Sequence, residues 1–107
     1  MNQLKFGLLG ILLFSVSTFA AVDCSLTSYP GGAAEKGESG SGKRVELSNS
    51  GFDFVAQDSG KGRLNMWAYE NGKPIAGFDG TVEKGKVQSL SVMTGRKSDM
   101  IRMHCIQ

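Results

Sequence analysis

Cys24 and Cys105 are the only cysteines in the chain, and one stands near each end of the part that would fold. Joined, they hold the first and last elements within about 7 Å, Cα to Cα, which discards most arrangements open to a short chain. Whether they join depends on where the protein folds, because disulfides persist outside the reducing cytosol. The N-terminus bears on that. Lys5 precedes an apolar run from Phe6 to Phe14, and Ser15, Ser17, Thr18 and Ala20 then supply the small residues of a cleavage site. Residues 1–20 read as a secretory signal peptide, cut before Ala21. The apolar run is shorter than the roughly 20 residues a spanning helix needs, so no membrane span is expected in the mature form.

Removing those 20 residues from the 107 leaves 87, a single domain (21–107) with a thin core that gains much from a covalent staple. A Cys24–Cys105 disulfide contributes roughly 4 to 5 kcal/mol in the chain-entropy model. A redox-active pair would favour Cys-x-x-Cys spacing, which is absent. The expected location is the periplasm or the cell exterior.

Nowhere in 21–107 do apolar residues recur at helical spacing for three turns, whereas short alternating runs between turn residues recur throughout. The pattern predicts an all-β fold with strands near 21–28, 43–48, 52–57, 63–70, 73–82, 86–94 and 99–106. Breaks such as Asn49-Ser50-Gly51, Asp58–Gly62, Asn71-Gly72, Lys84-Gly85 and Gly95–Ser98 are hairpin-sized. Consecutive strands are therefore expected to pair as an antiparallel meander of about seven strands. With its ends bridged, the meander closes into a barrel or folds into a two-layer sandwich. Pro30–Gly42 is glycine-rich and lacks any large apolar residue, so it is expected to be a flexible loop.

Several motifs invite chemistry and fall short of it. A formal charge of +2 is too small to imply nucleic acid. Lys84, Lys86, Arg96 and Lys97 fall in turns at opposite ends of one strand, too far apart for one basic patch. Gly37–Lys43 has most of a phosphate-binding loop, but Arg44 replaces the magnesium-binding hydroxyl and a strand follows. In the run Met100–Ile106, alternation puts Met100, Arg102 and His104 on one face and Met103 and Cys105 on the other, which argues against a soft-metal site. His104 is the only histidine, and no serine sits in a G-x-S-x-G elbow. No catalytic, cofactor-binding or metal-ligating residue is assigned, and the protein is not expected to be an enzyme.

The 63–79 hairpin is the most informative segment. A two-residue Asn71-Gly72 turn predicts Tyr69 opposite Pro74, Trp67 opposite Ala76 and Asn65 opposite Phe78, with Leu64, Met66 and Ala68 on the other face. Both faces are apolar near the middle, so one must be core and the other covered or exposed. Large aromatics dominate small cores, and the preferred expectation is that they point inward. The alternative leaves Trp67, Tyr69 and Phe78 outward as a surface for a glycan or protein partner. Together these readings point to an exported, disulfide-stapled, non-enzymatic binding or accessory module with a protein or cell-envelope glycan partner. An alternative is an inhibitor of a secreted or periplasmic hydrolase, acting through the Pro30–Gly42 or Asp58–Gly62 loop.

Overall fold

The seven expected strands appear and Glu35–Gly42 adds an eighth: β1 (Val22–Ser28), β2 (Glu35–Gly42), β3 (Arg44–Asn49), β4 (Phe52–Gly60), β5 (Arg63–Glu70), β6 (Lys73–Thr81), β7 (Val87–Met93) and β8 (Met100–Ile106). One 3-10 turn, Pro30–Gly32, lies between β1 and β2. The computed structural model describes residues 21–94 and 99–107. The expected signal peptide and the turn carrying Arg96 and Lys97 lie outside the described residues.

The strands form two antiparallel four-stranded sheets, ordered β2-β1-β8-β7 and β3-β4-β5-β6. The sheets stack face to face, with β1 across β3 and β4 and β7 across β5. The architecture is a sandwich, and no barrel closes. A simple meander is interrupted twice, because β2 does not hydrogen-bond to β3, nor β6 to β7. At each of those points the chain crosses between sheets. The first crossing turns at Gly42, whose φ of +146° is open to glycine but strained for other residues. The Asn71-Gly72 turn has the two positive φ values, 52° and 81°, that its sequence predicts.

Alternation then fills one core between the sheets. From one layer come Val22, Cys24 and Leu26 of β1 with Ile101, Met103 and Cys105 of β8. From the other come Leu47, Phe54, Leu64 and Met66. Cys24 and Cys105 pair directly across β1 and β8, bonded through sulfur, with Cα atoms 4.2 Å apart. The staple therefore joins neighbouring strands within one sheet.

Pro30–Gly42 is not the free loop its composition predicts. Its last eight residues are β2, an edge strand paired with β1 through most of its length. Backbone pairing needs no apolar side chains, and the glycines fit because the facing layer fills the space. A Cβ on Gly40 would lie 3.4 Å from a Val45 methyl. The phosphate-loop resemblance ends here too, since Gly37–Gly42 is extended and another strand follows.

Asp58 is the single buried charged residue among those described. Its Oδ1 accepts from the Gly60 N–H at 2.8 Å and its Oδ2 from the Gln107 amide at 3.1 Å. One carboxylate thus ties the β4–β5 turn to the C-terminal residue, and its burial is offset by two hydrogen bonds.

Candidate functional site: an aromatic face on the outer sheet

The outer face of β3–β6 is built in rows. Glu46, Val55, Trp67 and Gly77 lie side by side across the four strands; Arg44, Gln57, Asn65 and Asp79 form the next row. On the other side of Trp67 lie Ser48, Asp53, Tyr69 and Pro74. The hairpin is thus oriented against the preferred expectation. Leu64, Met66 and Ala68 are fully buried, and Trp67 faces outward, 42% exposed. The facing sheet supplies Val22, Leu26, Val92, Ile101, Met103 and the disulfide, so the core is filled without the indole.

The three aromatics do not share one face. A bulge interrupts β5–β6 pairing between Ala68 and Tyr69, leaving Ile75 as an extra residue on β6. Proline has no N–H for the ladder and is tolerated at bulges, and Pro74 adjoins this one. Beyond the bulge every β6 residue moves one position. Trp67 now opposes Gly77 in place of Ala76, and Phe78 opposes Met66 in place of Asn65. A one-residue slip exchanges the faces, so Phe78 turns inward and packs half-buried against the core. Trp67 and Tyr69 remain on the outer face, Tyr69 half-buried. The proline inside a predicted strand was the available signal for this shift.

Gly77 is what the bulge places under Trp67. A Cβ there would fall inside the van der Waals surface of the six-membered ring of the indole. The ring lies over the bare glycine backbone, which leaves it accessible on the sheet. Polar side chains surround it in fixed pairs. Arg63 holds Asp79 through two bonds of 3.0 and 3.1 Å, Arg44 reaches Glu46 at 2.8 Å and Gln57 at 3.1 Å, and Ser48 donates to Asp53 at 2.6 Å. Exposed ion pairs contribute little stability; here they orient donors and acceptors around an aromatic plane.

The outer face of the other sheet carries His104, flanked by Ser25 on β1 and Ser89 on β7. Ser89 Oγ lies 3.1 Å from His104 Nδ1. Burial, followed by the nearby Arg102 guanidinium, lowers the His104 pKa below its ordinary 6.5. The native state then binds the proton less readily than the unfolded chain. Stability on this account is full above 6.5 and declines as pH falls below it. A His104→Gln variant should show a flatter dependence of urea midpoint on pH between about 5 and 7.

A depression of about 260 Å³ lies at one end of the sandwich, lined by Tyr29, Asn49, Ser50, Asp99 and Met100 among others. Asp99 is already engaged there, accepting from the Gly31 N–H at 2.7 Å. Met100 and Met103 occupy opposite faces of β8, Met103 buried and Met100 beside Arg102. Among the described residues, no three of His, Cys, Asp and Glu are grouped to hold a metal ion. No helix among them is long and apolar enough to cross a membrane. No known family, curated protein or solved structure matches this chain.

Proposed function

We propose that this protein is a non-enzymatic binding module of the periplasm or cell exterior, and that its contact face is the outer surface of β3–β6. Trp67 is the platform on which a pyranose ring of a cell-envelope glycan stacks. The observation that carries this reading is the indole lying over Gly77, accessible and surrounded by oriented amide, carboxylate and guanidinium groups. An aromatic plane takes the apolar face of a sugar, while polar neighbours take its hydroxyls. The disulfide supports folding outside the cytosol. An open face without a deep cleft supports weak single-site binding, with dissociation constants of about 0.1–1 mM.

The inhibitor reading has less support. Of its two loops, Pro30–Gly42 is largely an edge strand, and the Asp58–Gly62 turn is fastened by the buried Asp58. Neither projects as a free segment.

Trp67 is the only tryptophan, so its fluorescence reports on this face alone. Titration with soluble peptidoglycan fragments or chitin oligosaccharides should shift or quench the emission. Trp67→Ala should weaken binding about tenfold or more, measured by calorimetry. Gly77→Val, which lifts the ring from the sheet without removing it, should weaken binding as well. Unchanged fluorescence with every glycan tested would sink the proposal.

A further inference from the structure

A two-sheet sandwich has four edge strands, each offering unpaired N–H and C=O groups that can template another strand. Three edges here carry features that discourage this. β2 has Glu35, Lys36, Glu38 and a bulge. β3 has Arg44 and Glu46, and its Ser48 N–H is taken by Glu38 Oε1 at 2.9 Å. β6 has Lys73, Pro74, Asp79 and the bulge at Ile75. β7 has none of these. Its seven residues, Val87 to Met93, include no charge, proline or glycine, and they pair with β8 without a register shift.

The open groups on β7 follow from the ladder. The 4.2 Å Cα spacing of Cys24 and Cys105 is that of a non-hydrogen-bonded antiparallel pair. The backbone groups of Ile101, Met103 and Cys105 therefore point toward β7, where they satisfy Val92, Leu90 and Gln88. Those of Val87, Ser89, Ser91 and Met93 point away from the sheet. The Gln88 amide reaches the Ser89 carbonyl at 3.3 Å, a side-chain substitute for a missing strand.

This edge is complementary to itself. A two-fold axis at Leu90 sets Ser89 against Ser91 of a second copy and Val87 against Met93. Val87 and Met93, 60% and 64% exposed, are the two most exposed large hydrophobic residues among those described. The pairing covers each with the other and joins the open backbone groups, and the paired residues, Val87–Met93, carry no charge of their own. Leu90 meets its own counterpart at the inner layer. We infer that β7 is a homodimerisation edge, on which a second copy of this chain adds antiparallel to make one continuous sheet. Trp67 lies on the other sheet's outer face, so the dimer leaves that face uncovered. The inference stands independently of what Trp67 binds.

Protein recovered from the exported fraction should show a monomer–dimer equilibrium by sedimentation between about 10 μM and 1 mM. V87K or M93E alone should weaken dimerisation about tenfold or more, because the symmetric contact is lost twice. Both positions are exposed, so the melting temperature should barely change. Mixing the two variants should restore a dimer, since the introduced lysine then faces the introduced glutamate while Met93 still faces Val87. A wild-type monomer throughout overturns the proposal and leaves the edge to a strand of another protein. A dimer indifferent to both substitutions, or variants that fail to rescue each other, also overturns it.

Discussion

Replacing Cys24 and Cys105 together by alanine should lower folding stability by about 4–5 kcal/mol, read as a fall in urea midpoint. The bond closes a loop of 81 residues, and in the chain-entropy model a loop that long restricts the unfolded state by this amount. Domains of ordinary stability have only about 5–15 kcal/mol in all, and one this small sits low in that range. The double variant should therefore be largely unfolded under mild stress. Where it folds, the strand order should be unchanged, because β1 and β8 already pair along their lengths through backbone bonds. The two cysteines are only 3% and 1% exposed. Reductant should consequently act slowly on the native protein and quickly in denaturant. A double variant within about 1 kcal/mol of wild type would remove the staple as a main source of stability.

Phe54→Ala should cost about 3–5 kcal/mol by the same measurement. Phe54 is fully buried on β4, and its inner-face row runs Leu47, Phe54, Ala68, Ala76. Its ring supplies the bulk that the two alanines lack. Truncation would leave a cavity that backbone-locked neighbours cannot close, which places the expected loss at the upper end for core residues. A loss below about 1.5 kcal/mol would mean that the facing sheet collapses into the space.

The strands that could be read from the chain were those whose identity is local. The runs 52–57 and 63–70 alternate clearly, and Asn71-Gly72 specifies its turn, so all three appear where expected, although β4 runs on to Gly60 through residues expected in the turn. β2 was illegible for a physical reason: Glu35–Gly42 is held by backbone pairing with β1 and by Val45 and Leu47 of the facing layer. Neither is encoded in its own side chains. The aromatic face was half legible. Composition and period placed Trp67 and Tyr69 together, but which side met the core depended on the second sheet. The bulge at Ile75 then separated Phe78 from them. Gly77, the residue that gives Trp67 its seat, carried no sequence signal of its own.

By itself the amino-acid order determined an all-β domain, the hairpin turns at Asn49-Ser50-Gly51 and Asn71-Gly72, and the partnership of Cys24 with Cys105, because side-chain alternation, turn geometry and thiol pairing act through few residues. Only the tertiary structure decided that the strands divide into two sheets, that Glu35–Gly42 forms an edge strand, and that Trp67 faces solvent. Each of these depends on which surfaces bury best against one another, and that is settled by the whole core at once.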